Sequence, residues 1–111
     1  MHLGVPEFVS MTPRPMAEIL IIEDDELLRQ MLARCLTGNR YVVREAGNGH
    51  EGLRLMRERP ACLVITDIVM PDMEGIETIR HLRRDYPGTK IIAISATSTT
   101  PVKISSVTVA I

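Results

Sequence analysis

Acidic and hydroxyl side chains follow three short apolar runs of the sequence. Asp67 comes directly after a β-branched run, Glu23 and Asp24 come after an earlier run, and Ser95 comes after a later one. Continuous apolar runs of this length are typical of strands that are buried on both faces of a parallel sheet. Because open α/β sheets bind ligands beyond the carboxyl ends of their strands, Asp67 is the first candidate functional residue.

The placement of these residues favours a metal site that serves phosphoryl chemistry. In a doubly wound sheet the first and third strands are neighbours at the topological switch point, so Glu23 and Asp24 converge on Asp67. Carboxylates held together repel one another unless a cation joins them, and hard oxygen ligands suit Mg²⁺. The cation would also assist phosphoryl transfer to Asp67, and Ser95 could donate its hydroxyl to a phosphoryl oxygen. Each of these residues alone is typical of a turn or a strand end, but their combination favours a site.

The wider pattern predicts one doubly wound α/β domain. Residues 1–17 contain three prolines and no sustained period, so we expect a flexible leader, with Met11 or Met16 as an alternative start. Strands then alternate with helices of about 8–11 residues, which implies right-handed βαβ units and a parallel sheet over residues 18–96. We expect strands at 19–22, 41–46, 62–66 and 90–95, and helices at 26–36, between the Gly47–Gly49 turn and Pro60, and at 75–85.

Local signals predict the ends of these helices. Asp25 is expected to cap the first helix and Gly38 to stop it. Asn48 and Glu51 have the spacing of a capping box at the start of the second helix. In the third helix, the side chains expected to face the core are Ile76, Ile79 and Leu82.

Composition and charge argue against several classes of protein. With 111 residues, 45% of them hydrophobic and 24% charged, the chain has the size of one domain with a core. A net charge of −1 and only 3% aromatic residues argue against a nucleic-acid partner. No apolar run approaches the roughly 18 residues that span a bilayer, and residues 1–17 do not resemble a signal peptide, so we expect a cytoplasmic protein without a membrane partner. Cys35 and Cys62 have no metal-ligand spacing and are expected to pack in the core as reduced thiols.

Three segments resemble the receiver domain of two-component response regulators: Ile19–Asp25, Leu63–Gly75 with its Asp-x-x-Met-Pro-x-Met-x-Gly core, and Ile91–Ala96. The resemblance covers residues 18–96 and implies a flavodoxin-like sheet with strand order 2-1-3-4-5. It also implies that Asp67 accepts a phosphoryl group from a histidine kinase or a phosphotransfer protein.

The same resemblance implies a role for each residue near Asp67. Asp24 and Asp67 would bind Mg²⁺ directly, Glu23 partly through water, and Val69 through its backbone carbonyl. Ser95 would be the switch hydroxyl. Turnover would be limited to self-catalysed phosphotransfer and dephosphorylation, so we do not expect a conventional enzyme.

The chain departs from the family after the fourth strand. A receiver continues through a fourth helix, a fifth strand that ends in Lys-Pro, and a fifth helix, and that lysine pairs with the phosphoryl group. Here Lys103 is the one lysine after Ser95 and lies eight residues beyond it, too near for the usual crossover. We therefore expect these three elements to be missing or replaced.

The atypical Ser/Thr-rich tail, residues 97–111, is expected to pair as an edge strand, either within the chain or across a homodimer. The sheet face that the missing helices would cover is expected to be exposed, and exposed apolar area promotes self-association.

Two interpretations of function stay open, and a third is disfavoured. The first is a phospho-accepting receiver. The second is a degenerate receiver that acts as a protein-binding or oligomerisation module without productive phosphorylation, which the missing lysine would favour. The third, a metal-dependent phosphohydrolase with an aspartyl nucleophile, would need an acid two residues after Asp67, where the chain has Val69.

Overall fold

The computed structural model describes residues 17–68, 74–94, 102–104 and 107–110. The predicted alternation of strands and helices is confirmed, with boundaries that shift by one or two residues. The elements are β1 (Glu18–Ile22), α1 (Glu26–Gly38), β2 (Val42–Ala46), α2 (Gly49–Glu58), β3 (Leu63–Asp67), α3 (Glu74–Asp85), β4 (Lys90–Ile94), β5 (Val102–Ile104) and β6 (Val107–Ala110).

The strands of the described residues form one sheet in the order β2-β1-β3-β4-β6-β5. All neighbouring pairs are parallel except β5 and β6, which are antiparallel. The register sets Ile22 beside Thr66 and Asp67 beside Ile94. The carboxyl ends of β1, β3 and β4 therefore lie at one edge of the sheet, which we call the carboxyl edge, and their first residues form the amino edge. The predicted flavodoxin-like order 2-1-3-4 is confirmed.

Helices cover both faces of the sheet because alternate strand residues point to opposite sides. Leu20 and Ile22 of β1 belong to a core cluster with residues of α2 and α3. Ile19 and Ile21 belong to a second cluster, which includes residues of α1. Gly52 lets α2 lie close to β1, because a Cβ atom at this position would overlap with the side chain of Ile22. The burial of β1 on both faces explains its continuous apolar sequence.

Both predicted helix caps are confirmed. The Asp25 carboxylate accepts a hydrogen bond from the backbone N–H of Leu28 at 3.1 Å and caps α1. The Asn48 side chain accepts one from the N–H of Glu51 at 2.8 Å and caps α2. The Glu51 carboxylate in turn accepts a hydrogen bond from the backbone N–H of Gly47 at 3.0 Å. In the usual capping box this donor is one residue later, at the N-cap residue itself. These caps hold the loops that follow β1 and β2.

The expected stop at Gly38 is wrong in detail. Helix α1 continues through Gly38, and Asn39 caps its end, with a side-chain amide that donates to the carbonyl of Cys35 at 2.8 Å. Arg40 then has a positive φ of 70°. Because Asn39 satisfies the last carbonyls and Arg40 provides the left-handed turn, the chain does not need glycine to end this helix.

Three side chains expected in the core are exposed instead. Cys35 lies on the outer side of α1, and Cys62 precedes the buried part of β3, where its thiol contacts the carbonyl oxygen of Glu18 at 3.2 Å. Ile76 is 38% exposed, whereas Thr78 of the same helix is buried. The buried stripe of α3 passes through Gly75, Thr78, Ile79 and Leu82, and Ile76 lies to one side of it.

The tail contributes a hairpin rather than a single edge strand. β6 pairs in parallel with β4 inside the same chain, and β5 lies outside β6. The next strand beside β4 is therefore present, and three of the twelve residues between β4 and β6 belong to β5. Residues 95–101 and 105–106 lie outside the described part of the chain, as do residues 1–16 of the predicted leader.

The sheet face that carries α1 is only partly covered by the described residues. An apolar groove of about 520 Å³ lies over β1, β3 and β4, and its lining includes Ile19, Leu63, Ile65 and Ile92. The sequence predicts an exposed apolar sheet face without specifying which one, and self-association through this groove stays a prediction. In the described residues, every helix is too short or too polar to cross a membrane.

Candidate functional site

Three carboxylates come together at the carboxyl edge of the sheet. Asp67 is the last residue of β3, and Glu23 and Asp24 follow the end of β1, which is the strand beside it. One carboxylate oxygen from each residue lies within 4.8 Å of the other two. We call these residues the acidic cluster. The sequence predicted that these side chains would converge, and the parallel pairing of β1 with β3 is the reason that they do.

The three members of the acidic cluster differ in exposure. Glu23 is 1% exposed, Asp67 is half-buried, and Asp24 faces solvent. Oε2 of Glu23 accepts a hydrogen bond from the backbone N–H of Asp25 at 2.9 Å, but Oε1 is buried without a hydrogen-bond partner among the described residues. A buried carboxylate oxygen without a partner is costly, because its lost hydration is not replaced.

Burial raises the pKa of the Glu23 carboxyl from 4.5 to about 7. The hydrogen bond from the Asp25 N–H opposes this rise, whereas the neighbouring carboxyl of Asp24 and the negative charge of Asp67 add to it. Both charged neighbours that shift the pKa of the Glu23 carboxyl, Asp24 and Asp67, are acidic. A cation bound among the three carboxylates would reverse this balance and favour the ionised form of Glu23.

The donor set of the acidic cluster fits a hard divalent cation. Carboxylate oxygens are the ligands that Mg²⁺ prefers, and Mg²⁺ keeps several water molecules when it is bound by only a few carboxylates. The buried Oε1 atom of Glu23 gives the site an oxygen that no N–H group of the described residues satisfies. Glu23, Asp24 and Asp67 could therefore hold Mg²⁺, with the exposed side at Asp24 open to water.

Gly75 brings the first turn of α3 against Asp67. A Cβ atom at this position would overlap with the carbonyl oxygen of Asp67 and with the backbone of Ile68. The hydroxyl of Thr66 also contacts the Asp67 carbonyl, at 3.3 Å. The glycine of the Asp67–Gly75 motif is thus required by the close approach of two backbone segments.

Two predicted site residues lie outside the described part of the chain. These are Val69, with its expected backbone carbonyl ligand, and Ser95, the expected switch hydroxyl. Both immediately follow or lie close to strand ends at the carboxyl edge, since β3 ends at Asp67 and β4 ends at Ile94. Lys103 is on β5, the outermost strand, and two strands separate it from β3.

The sequence did not single out two further features beside the site. Arg29 of α1 reaches the loop that carries Glu23. Leu27 and Met31, one turn apart on α1, are 68% and 59% exposed. Helical spacing alone could not reveal them, because it assigned the apolar residues of α1 to the core and said nothing about contacts between α1 and β2.

Comparison with known proteins agrees with this geometry. The family model of the response regulator receiver domain matches residues 19–111. The chain belongs to the response-regulator receiver family. The match continues beyond Ala96, where the recognisable motifs end, and includes the hairpin of β5 and β6. The chain is thus a receiver domain of the kind found in two-component signalling systems.

Individual relatives share this domain, and they differ in how much of their own length it covers. Over 80 residues the chain is 39% identical to the response regulator receiver protein CpdR of Brucella abortus, covering 72% of this chain and 67% of CpdR. It is 37% identical over 81 residues to the sensor kinase CckA of the same organism, covering 71% of this chain and only 9% of CckA.

A solved structure with a similar fold is the histidine kinase ThkA in complex with the response regulator protein TrrA. The match to a chain of that complex has a TM-score of 0.75 and 30% identity, and it covers 86% of this chain and 84% of the other.

Proposed function

We propose that this receiver accepts a phosphoryl group on Asp67 from a histidine kinase or a phosphotransfer protein, with Mg²⁺ bound by the acidic cluster. The observation that carries the proposal is the convergence of three carboxylates around a buried Glu23 oxygen that has no hydrogen-bond partner in the described residues. Membership in the receiver family and the kinase complex of TrrA support it.

The chain's own residues would each have a separate role in phosphoryl transfer. A carboxylate oxygen of Asp67 attacks the phosphorus of a phosphohistidine, a P–O bond forms, and the P–N bond breaks. The electron pair of that bond leaves with the imidazole, which takes up a proton. Glu23, Asp24 and Asp67 would hold the cation, with Val69 supplying a carbonyl oxygen, and Ser95 would donate a hydrogen bond to the phosphoryl group. Bound Mg²⁺ neutralises negative charge on the phosphoryl oxygens.

The surface beside the acidic cluster supports a protein partner. Helix α1 begins two residues after Asp24, and the exposed side chains of Leu27 and Met31 lie on its first two turns. Residues four apart on a helix are neighbours, so these two side chains form one apolar strip. A kinase or phosphotransfer protein that covers this strip would bring its phosphohistidine close to Asp67.

Several finer features belong to the same proposal. The chain would act in the cytoplasm, without a nucleic-acid or membrane partner of its own. Its turnover would be limited to self-catalysed phosphotransfer and dephosphorylation. The domain would occupy residues 18–96, with 1–17 as a leader and 97–111 as an atypical tail that takes part in any homodimer.

The test is phosphorylation of the purified chain by acetyl phosphate with Mg²⁺, followed by intact mass spectrometry. We expect a phosphoryl adduct on the wild type and none on Asp67→Asn. Asp85→Asn is a matched control, because Asp85 is an exposed aspartate of α3 that pairs with Arg84 far from the cluster. EDTA should prevent formation of the adduct.

A folded wild-type chain that gains no phosphoryl group would contradict the proposal. That result would favour the degenerate receiver, which binds partners without being phosphorylated. An adduct that persists in Asp67→Asn would mean that another residue is the acceptor.

A further inference from the structure

Arg29 connects three segments that surround the acidic cluster. Its Nη1 atom donates a hydrogen bond to the backbone carbonyl of Glu23 at 2.8 Å, and its Nε atom lies 3.3 Å from Oε1 of Glu45. Arg29 belongs to α1, Glu23 to the loop after β1, and Glu45 to β2. The Arg29 side chain is only 19% exposed, so most of it is packed between these segments.

The backbone of Glu23 is fixed on both sides by these contacts. Its N–H donates to the carbonyl of Ala46 at 3.0 Å, and its own carbonyl accepts from Arg29. Oε2 of the side chain is held by the N–H of Asp25 at 2.9 Å. With these atoms held, Oε1 is the carboxylate oxygen of Glu23 without a hydrogen-bond partner among the described residues.

We propose that Arg29 is a positioning residue of the cation site: it clamps the Glu23 carbonyl so that Oε1 of Glu23 and the carboxylate of Asp24 face one bound ion. The inference rests on the proposed Mg²⁺ site. Arg29 does not contact the ion in this account. Its guanidinium instead lies outside the coordination sphere and orients a metal ligand through a hydrogen bond.

A simple charge effect predicts the opposite result. Arg29 carries a positive charge near the acidic cluster, and a positive charge repels Mg²⁺. If charge were its main influence, replacing Arg29 with a neutral residue would tighten Mg²⁺ binding. If Arg29 positions the loop, the same replacement weakens binding. The direction of the change therefore separates the two roles.

The experiment is isothermal titration calorimetry with MgCl₂ on wild type and on Arg29→Met, which keeps an apolar stem but removes the donors and the charge. Because the loss of an outer partner typically reduces metal affinity 10–100-fold, we expect a Kd at least about tenfold higher for Arg29→Met. Thermal unfolding in EDTA shows whether the variant is folded before metal is added.

Two variants control for side effects. Glu45→Gln removes the exposed ion pair but leaves the bond from Arg29 to Glu23, so its Kd should stay within about twofold of wild type. Arg34→Met removes a positive charge from the same helix at an exposed position, and it should not weaken binding. If Arg29→Met does not fold, Arg29→Lys takes its place. Lysine keeps the positive charge but lacks the planar guanidinium whose Nη1 atom donates to the Glu23 carbonyl, so its Kd should rise at least about threefold.

The outcomes are distinct. Wild-type binding together with weaker binding by the Arg29 variants supports the inference. Unchanged or tighter binding by those variants overturns it while leaving the Mg²⁺ site intact. A wild type that does not bind Mg²⁺ overturns the proposed site itself and the positioning role with it.

Discussion

Glu18 and Glu23 lie at opposite ends of β1, and their carboxylates have different partners. At the amino edge, Glu18 accepts a hydrogen bond from Nε of Arg59 at 3.0 Å, and its Oε1 atom lies 3.3 Å from Nε of Arg44. The Arg44–Glu18 contact is an ion pair without hydrogen-bond geometry, since Arg44 Nε has no hydrogen-bond partner in the part of the chain that the structure describes. Arg44 instead donates to the carbonyls of Leu55 and Arg59.

At the carboxyl edge, the carboxylate of Glu23 forms no ion pair with a basic side chain of the described residues. Its side chain meets the N–H of Asp25 and two other acidic residues, and one of its oxygens is unsatisfied among the described residues. The comparison shows how one residue type serves two purposes on one strand. Two arginines lie beside the carboxylate of Glu18, whereas the described residues place two further carboxylates beside Glu23, as the proposed cation site would need.

The largest difference between the two edges should be seen in the phosphorylation reaction. Asp24→Asn removes a negative ligand from the acidic cluster, so we expect Mg²⁺ affinity and the rate of adduct formation with acetyl phosphate to fall at least about tenfold. Glu18→Gln should leave both unchanged. Calorimetry and time-resolved intact mass measure the two quantities. Equal behaviour of the two variants would contradict a special role for the carboxyl edge.

Glycines at the two edges should also respond differently to an added methyl group. A Cβ at Gly75 would overlap with the backbone at Asp67 and Ile68, so Gly75→Ala should lower the free energy of unfolding by about 1–3 kcal/mol and slow phosphorylation. Gly88, near the start of β4, has open space around the corresponding position. Gly88→Ala should change neither property much. Denaturant unfolding of the two variants makes the comparison, and equal losses would contradict it.

The ion pairs at the amino edge should contribute to the free energy of unfolding but not to Mg²⁺ binding. Glu18→Gln weakens the attraction to Arg44 and Arg59, and we expect the free energy of unfolding to fall by about 1 kcal/mol. The loss should be the same in Mg²⁺ and in EDTA. A loss that changes with Mg²⁺ would show that the two edges are coupled, which the account does not predict.

A pH-dependent effect on stability is expected at the carboxyl edge in EDTA. Because the pKa of Glu23 is raised to about 7 in the folded chain, the folded state holds a proton that the unfolded state has already lost. This contribution to stability is complete below about pH 4.5 and is lost as the pH rises through about 7. Glu23→Gln lacks it, so the stability of the wild type relative to that variant should decline over this range. A pH-independent difference would contradict the burial argument.

The fold and much of the site could be predicted from the sequence because they depend on local patterns and parallel topology. Apolar runs marked the strands, caps such as Asp25 marked the helices, and the switch-point rule brought Glu23 and Asp24 to Asp67. Contacts across elements could not be predicted in this way. The bond from Arg29 to the Glu23 carbonyl joins segments whose relative position is set only by packing.

Burial was also predicted less well than topology. Cys35 and Cys62 are apolar enough to suggest a core position, yet both lie where their elements face solvent. Thr78 is polar and buried, while Ile76 is apolar and exposed. In each case the exposure depends on which side of its helix or strand the residue lies. Sequence periodicity predicts that side only approximately.

The most direct test is the Mg²⁺ dependence of the free energy of unfolding at pH 8 for wild type, Glu23→Gln and Glu18→Gln. Saturation at 100 times Kd stabilises a site by about 2.7 kcal/mol, so Mg²⁺ should stabilise wild type and Glu18→Gln by an amount of this order. In EDTA, Glu23→Gln should be more stable than wild type because it lacks the buried charge, and it should gain much less from Mg²⁺. Equal gains for Glu23→Gln and wild type, or no gain for any of the three proteins, would contradict a cation site built around Glu23.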